Sequence, residues 1–327
     1  MAWAARADDA GHHLVVQDDV AAPPELVELV AGSVARFPDE ALIFYTNWHA
    51  RNGAAARLAA LAGAGWVRAV PEEFAPTLAI CLPVRTADAF RAFAAGTAER
   101  HDDEVMATFL RTEARPGLLA VPTVVEHIGT SSINGHAAQG IRLAVCPAGA
   151  AEARPLLDRG WVLEEWGWLP YMRYGEGYVR PVGHEHDADP RRHLRWTEAL
   201  PTTGLTEGQV RDVVRRHWAE DAAASVGRLF GRGFADELWI HCLLLGRQAE
   251  DAARRHAARR AAAGPVGEAA ARVRAAALST VGPAGLPRAA AGTDSGAHCA
   301  DGRLRGGRGA VRWSAARTGG GQPAEVR

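Results

Sequence analysis

Short apolar runs alternate with amphipathic stretches along residues 1–148, and this alternation predicts the organisation of that part of the chain. Short apolar runs predict buried strands at residues 14–18, 41–45, 78–83 and 118–122, and weak alternation predicts another strand at residues 66–70. Apolar residues at helical spacing predict helices at residues 24–37, 54–64, 86–99 and 102–111. Strands that alternate with helices are typical of an α/β fold with an at least partly parallel sheet.

The pattern changes after residue 148, and we expect a mostly helical appendage at residues 149–260. Helical spacing predicts one helix from Thr206 to Ala224 and another from Asp236 to about Arg260. Aromatic residues cluster before these helices, at Trp161, Trp166, Trp168, Tyr171, Tyr174 and Tyr178. Such a cluster forms either a packing surface or a platform on which a sugar ring stacks.

Residues 261–327 are rich in Gly, Ala, Arg and Pro and contain few large apolar side chains. A segment of this composition buries too little apolar surface to offset the entropy of ordering, so we expect a disordered tail. Its surplus of arginine would suit nucleic acid. However, all 37 basic residues of the chain are arginine, so each arginine is less informative than usual.

Composition limits the classes of function that the chain can have. With 327 residues, 48% of them hydrophobic, it has the size and composition of a globular protein with one large or two modest domains. The net charge of −1 favours neither nucleic acid nor a membrane surface as a partner. Because the chain contains no lysine, a lysine nucleophile or Schiff base is excluded.

Cysteine spacing and hydropathy bear on the compartment. The four cysteines are far apart and show no CxxC spacing, which argues against the usual kind of zinc site. No apolar stretch is long enough for a membrane span, and the N-terminal residues do not have the pattern of a signal peptide. We therefore expect no membrane span and a cytoplasmic location.

Two adjacent carboxylates, Asp18 and Asp19, end the first predicted strand. In open α/β sheets, ligands bind at the carboxyl ends of the strands. Neighbouring carboxylates repel each other unless a positive charge lies beside them, and a divalent metal on a phosphate-bearing ligand supplies that charge. The alternative is that the pair only stops the strand and begins a turn.

A second acidic pair, Asp102 and Asp103, begins the helix predicted at residues 102–111. Carboxylates at this position complement the helix dipole, so N-capping alone explains them. The functional alternative is a general base that accepts the proton of a hydroxyl group, although the helix N-terminus would lower the pKa of such a carboxylate. The loop of residues 72–77 could wall a substrate cleft or simply form a turn.

A histidine, His127, ends a short apolar stretch and precedes a Gly-Thr-Ser-Ser segment. Its imidazole could bind a metal, and Ser131 and Ser132 with the backbone around them could bind phosphate. A structural role is the alternative for a single histidine.

Four motifs in this order carry a resemblance to the GT-A type glycosyltransferases of polysaccharide and surface-glycan assembly: HHLVVQDDV, FAPTLAICLP, HDDEVMATFL and VPTVVEHIGTSSI. The resemblance implies a Rossmann-related sheet on which Asp18 and Asp19 hold a divalent metal, Mn²⁺ or Mg²⁺, against the diphosphate of a nucleotide sugar. It also implies that His127 completes the metal site and that Asp102 and Asp103 supply the base.

The implied reaction is transfer of a hexose from a nucleotide-sugar donor to a glycan or another hydroxyl acceptor. A metal would stabilise the charge that develops on the departing nucleoside diphosphate. The base would remove the proton of the acceptor hydroxyl as the sugar is transferred.

The resemblance covers about residues 12–145 and departs from the family before the first acidic pair. GT-A enzymes usually carry a nucleotide-binding half made of βαβ units there, whereas this chain has 17 residues before Asp18. We therefore expect the domain of residues 1–148 to lack that half, which would remove contacts to the nucleotide. It would also leave a sheet edge free for pairing in an oligomer.

Three alternatives remain open at this point. A non-catalytic binding or interaction protein would be unaffected by Asp19→Ala, and a metal-dependent hydrolase would use Asp18, Asp19 and His127 with water as the acceptor. A separate metal site could form in an H-x-H loop that comprises His184, His186, Asp187, Asp189 and His193. The glycine and proline that flank this loop favour an ordinary solvated segment instead.

Overall fold

A computed structural model of the chain describes residues 3, 9–99, 101–113, 115–128, 142–173, 175–181, 193–219, 227–262, 267–279 and 281. These residues form a mixed α/β fold around a six-stranded, partly parallel sheet, with helices in the C-terminal region. The predicted fold class is confirmed at that level, while a relationship to GT-A enzymes remains a prediction.

The elements are named in chain order. The strands are β1 (His12–Val16), β2 (Val20–Ala21), β3 (Leu42–Ile43), β4 (Trp66–Arg68), β5 (Ala79–Pro83), β6 (Leu118–Ala120), β7 (Glu126–His127), β8 (Val162–Leu163), β9 (Trp168–Arg173), β10 (Glu176–Pro181) and β11 (Leu194–Arg195). The helices are α1 (Leu26–Arg36), α2 (Arg51–Ala62), α3 (Val84–Ala95), α4 (Asp102–Thr112), α5 (Ala150–Leu157), α6 (Leu200–Thr203), α7 (Glu207–His217), α8 (Arg232–Arg255), α9 (Ala257–Ala262) and α10 (Gly267–Ser279).

Strand directions in the main sheet bring three chain segments to one edge. The order is β1-β5-β3-β6-β4-β8, and both β1 and β3 run antiparallel to β5 while β3 runs parallel to β6. Strands β1, β3 and β6 therefore point the same way. Their carboxyl ends share one edge of the sheet, here called the carboxyl edge, which receives residues 17–19, 44–50 and 121–128.

Helices cover both faces of the sheet, because neighbouring residues of each strand point to opposite sides. Leu42 packs with α1 and α5 on one face, whereas Ile43 packs with α2, α3 and α4 on the other. Helix α2 is buried along almost its whole length, since its small alanines allow close packing against both the sheet and α8. The two apolar layers explain why the short strands lack polar alternation.

The C-terminal region contains strands that the sequence pattern did not predict. Strand β8 joins the main sheet beside β4, and β9, β10 and β11 form a separate antiparallel sheet that packs against α8. Trp161, Trp166 and Trp168 of the aromatic cluster are buried in the core, which supports the packing interpretation for them. No helix in the described part of the chain is long and apolar enough to cross a membrane.

The expectation of disorder throughout residues 261–327 is wrong for residues 267–279, which form α10. Ala270, Val273 and Ala277 lie on one face of this helix, are buried, and pack against α2 and α5. Small apolar residues at helical spacing are enough for this packing, because α2 offers an equally small-residue surface. The other residues of the predicted tail lie outside the described part, apart from residues 261–262 and 281.

Candidate functional site

A short strand pair at the carboxyl edge brings an aspartate and a histidine together. Strand β2 pairs antiparallel with β7, and the backbone N–H of Ile128 donates to the carbonyl of Asp19 at 2.9 Å. As a result, Nε2 of His127 lies 3.1 Å from Oδ2 of Asp19. The imidazole is buried, with 6% of the side chain exposed, whereas 42% of the Asp19 side chain is exposed.

The 3.1 Å separation is that of a hydrogen bond between the imidazole and the carboxylate. Imidazole nitrogen and carboxylate oxygen are also the atoms that bind divalent cations in proteins. In addition, Oδ1 of Asp19 and Nδ1 of His127 are buried and have no hydrogen-bond partner among the described residues. The pair therefore offers two candidate ligands for a metal ion, each with one buried atom that has no partner among the described residues.

The predicted ligand set is only partly assembled. The described residues contain no cluster of three or more His, Cys, Asp or Glu side chains that could hold a metal. Asp18 lies next to Asp19 at the same edge, and its side chain is exposed. An ion on Asp19 and His127 would take its other ligands from water and phosphate oxygens, as Mg²⁺ commonly does in proteins.

Two further side chains beside this pair were not identified from the sequence. Oε1 of Glu126 accepts from the backbone N–H groups of His127 at 2.9 Å and Ala144 at 2.7 Å. Burial raises the pKa of Glu126 to about 7 despite these two bonds, which favour the ionised form. The ring of Tyr45 lies 6.5 Å from the ring of His127, and its hydroxyl donates to the carbonyl of Arg142 at 2.5 Å.

Asp102 is linked to the strand that precedes the first acidic pair. Oδ2 of Asp102 accepts from the hydroxyl of Thr77 at 2.9 Å and from Nε2 of Gln17 at 3.4 Å. Gln17 also donates to the Thr77 hydroxyl at 3.1 Å, so the three side chains form one network. Gln17 directly precedes Asp18. The network therefore connects three of the four motifs through side-chain contacts.

Neither Asp102 nor Asp103 is the N-cap residue of α4, because that position is His101 and no side chain caps the helix. Both aspartates lie in the first turn, where their charges complement the helix dipole as the structural alternative expects. Each aspartate instead accepts from the backbone N–H of the next residue, at 3.0 Å for Asp102 and 2.9 Å for Asp103. The expected lowering of pKa is also wrong for Asp103. Burial raises the pKa of its carboxyl group, which makes its carboxylate a stronger base.

Several predicted site residues lie outside the described part of the chain. They are Ser131, Ser132, His184, His186, Asp187 and Asp189. His193 is described, and the edge of its ring meets the ring of Tyr171 with 5.5 Å between the centroids. The geometry thus bears on the acidic pairs and on His127, but not on the proposed phosphate-binding loop.

The described residues offer candidates for two chemical tasks. At the carboxyl edge, Asp19 and His127 are candidate ligands for a cation, and Asp103, in the first turn of α4, is a candidate proton acceptor. Both tasks occur in metal-assisted group transfer, which is a reaction class shared by unrelated folds. Comparisons of the chain with protein-family models, with curated proteins and with solved structures found no match in any of the three.

Proposed function

We propose that this protein is a GT-A type glycosyltransferase that transfers a sugar from a nucleotide-sugar donor to a hydroxyl acceptor. The observation that supports the proposal is the convergence of the four motifs at the carboxyl edge. Asp19 contacts His127 at 3.1 Å, and Thr77 donates to Asp102 at 2.9 Å. Ligand sites at the carboxyl ends of strands are the rule in open α/β sheets.

In this proposal, Asp19 and His127 would hold a divalent metal ion together with the donor diphosphate, and the exposed Asp18 lies beside Asp19 in the chain. Such an ion would supply positive charge that stabilises a departing nucleoside diphosphate. The carboxylate of Asp19 has one oxygen at His127 and a second, buried oxygen with no hydrogen-bond partner among the described residues, so it can serve two neighbours at once.

Asp103 is the proposed base that removes the proton of the acceptor hydroxyl. It is half-buried, its pKa is raised by that burial, and its backbone carbonyl accepts from Ala75 at 3.2 Å, which fixes the start of α4. Asp102 is the positioning residue beside it. Thr77 and Gln17 hold its carboxylate, so the start of α4 is tied to the strand that leads to Asp18 and Asp19.

The test is a screen of nucleotide sugars with Mn²⁺ and Mg²⁺ that follows release of nucleoside diphosphate with and without hydroxyl acceptors. Asp19→Asn should abolish metal-dependent donor binding in calorimetry. Asp103→Asn should keep donor binding but lower the transfer rate by about 10²–10⁴-fold, the usual contribution of a general base. Asp39→Asn is the matched control, because Asp39 is 73% exposed and pairs only with the exposed Arg85 among the described contacts.

The same screen distinguishes the alternatives. Release of free sugar at the same rate with and without an acceptor would indicate a hydrolase and contradict the transferase. A nucleotide sugar that binds the parent protein and the Asp19→Asn variant with equal affinity, and that neither protein turns over, would indicate a non-catalytic binding protein.

A further inference from the structure

Three polar atoms near the start of α2 are buried and have no hydrogen-bond partner among the described residues. They are Nη1 of Arg51, the hydroxyl oxygen of Tyr171 and Nδ1 of His193. Tyr171 is 4% exposed, so its hydroxyl has been removed from water, and no contact with a described residue replaces the lost bond. An unpartnered buried hydroxyl is costly, and most such groups in native proteins have a partner.

The three atoms come from segments that pack together. Helix α2, which begins at Arg51, packs against β9, which contains Tyr171. The edge of the His193 ring meets the Tyr171 ring with 5.5 Å between their centroids. The ring of Tyr178 stacks on that of Tyr171 with 5.7 Å between centroids. Arg51 is the charged group with the largest electrostatic effect on both Tyr171 and His193.

The guanidinium of Arg51 is held in a fixed orientation. Nε donates to Glu73 at 2.6 Å, and Nη2 donates to the backbone carbonyl of Glu72 at 2.8 Å. The backbone N–H of Arg51 donates to the same Glu73 carboxylate at 3.0 Å. Because the guanidinium is planar, these bonds also fix the direction of Nη1.

The helix start that carries Arg51 is itself fixed by a close backbone approach. A Cβ atom at Gly53 would lie 2.3 Å from the carbonyl oxygen of Asn47, so only glycine fits at this position. The side chain of Asn47 also accepts from the backbone N–H of Ala50 at 2.8 Å. The chain therefore turns tightly into α2, and the position of Arg51 is set by the backbone.

All three atoms can donate a hydrogen bond. Arginine is an obligate donor, and burial raises the pKa of Tyr171, which keeps its hydroxyl protonated. Burial lowers the pKa of His193, so its ring is neutral at pH 7 and one of its nitrogens carries a proton. The charges that act on His193 are those of Arg51, Arg173 and Arg180 against that of Glu73. Three donors from segments that pack together, with arginine side chains near them, suit an oxyanion.

We propose that Arg51, Tyr171 and His193 form a binding site for an oxyanion group, either the carboxylate of a sugar acid or a phosphate. The three residues share no hydrogen bond or ion pair with Asp19 or His127 among the described contacts, and the proposal does not depend on the proposed transferase activity. The ligand's oxygens accept the hydrogen bonds that these three positions do not make with the described residues.

The test measures binding of inorganic phosphate and of glucuronate to the full chain by calorimetry, at constant ionic strength and with glucose as the neutral control. Binding of phosphate alone identifies a phosphate-bearing ligand, and binding of glucuronate alone identifies a sugar acid. Tyr171→Phe should lower the affinity for whichever anion binds by at least tenfold. Tyr178→Phe should change the affinity by less than twofold, because the Tyr178 hydroxyl already donates to Glu176 at 2.7 Å.

Thermal unfolding without ligand provides an independent readout. Tyr171→Phe should melt at the same temperature as the parent protein or higher, because it removes an unpartnered buried hydroxyl. His193→Ala removes a second of the three proposed donors and leaves the Tyr171 side chain unchanged. This variant should also weaken anion binding. The proposal is overturned if neither anion binds the parent chain, or if both variants bind it as tightly as the parent does.

Discussion

The carboxylate of Asp19 and the imidazole of His127 lie 3.1 Å apart, although 108 positions separate them in the sequence. The backbone ladder between β2 and β7 holds the two residues in place, and the bond from Ile128 to the carbonyl of Asp19 extends it. The contact between the side chains is therefore a result of the backbone arrangement and not its cause. Substitution of either side chain should leave the local fold intact.

For Asp19→Asn, we expect the free energy of unfolding to fall by less than about 1 kcal/mol, because ion pairs with a partly exposed partner are worth little. Here 42% of the Asp19 side chain is exposed. Urea denaturation monitored by circular dichroism measures the change. A loss of several kcal/mol would mean that the pair has a mainly structural role, and Asp39→Asn provides the exposed control.

The Thr77 hydroxyl should matter for the orientation of Asp102. Thr77 is 2% exposed, and it donates to Asp102 at 2.9 Å. Thr77→Val keeps the shape and removes the donor, so we expect a stability loss of about 1 kcal/mol. Thr112→Val removes a hydroxyl from an exposed position of α4 and should change stability much less. Equal losses in the two variants, measured by thermal and urea unfolding, would contradict a specific role for Thr77.

Glu126 should make stability depend on pH. Its folded pKa of about 7 lies above the usual value of 4.5, so the native state binds the proton more tightly than the unfolded state. Its contribution to stability is therefore complete below pH 4.5 and is lost as the pH rises through about 7. Over this interval the contribution is at most about 3 kcal/mol.

Glu126→Gln imitates the protonated form and should remove this dependence. In the presence of a chelator, the variant should be more stable than the parent protein at pH 8, and the difference should shrink towards pH 5. Urea unfolding across that range measures it. Glu28→Gln is the control, because Glu28 is 73% exposed. A stability difference that stays constant with pH would show that Glu126 is not the group responsible.

Helix α10 should contribute to the stability of the whole fold. Val273 is 2% exposed and packs with the helices beneath it. Val273→Asp buries an unpaired charge and should cost about 3 kcal/mol or more. Val27→Asp is the matched control in α1, because Val27 is 67% exposed. If thermal unfolding shows equal effects, the helix does not pack as described.

Helices and strands were predictable where the apolar pattern of the sequence matches the burial of the element in the fold. Strands β1, β4, β5 and β6 lie within one or two residues of their predicted bounds, because each is a run of apolar residues closed by a polar residue, a turn or proline. Strand β9 was missed because both of its faces are covered, so Trp168 to Met172 are all buried and show no alternation. Helix α10 was missed because alanine-rich packing resembles low complexity in sequence.

The candidate site was predictable only in part, for a similar reason. The positions of Asp19 and His127 at strand ends indicated that they could meet, since carboxyl ends of parallel strands share an edge. The raised pKa of Glu126 depends on burial by surrounding segments, which its sequence neighbourhood does not reveal. Arg51, Tyr171 and His193 belong to three separate segments and form no motif, so only the folded arrangement brings them together.

The tight turn at Gly53 fixes the position of the Arg51 guanidinium, although Gly53 itself has no side chain. A methyl group at this position would lie 2.3 Å from the carbonyl oxygen of Asn47, so the first turn of α2 would have to shift. Such a shift would carry the guanidinium of Arg51 with it and leave every donor chemically unchanged. Anion binding at the proposed site should therefore depend on the absence of a side chain at Gly53. Gly53→Ala would change the affinity for the anion by moving Arg51, without removing any hydrogen-bond donor.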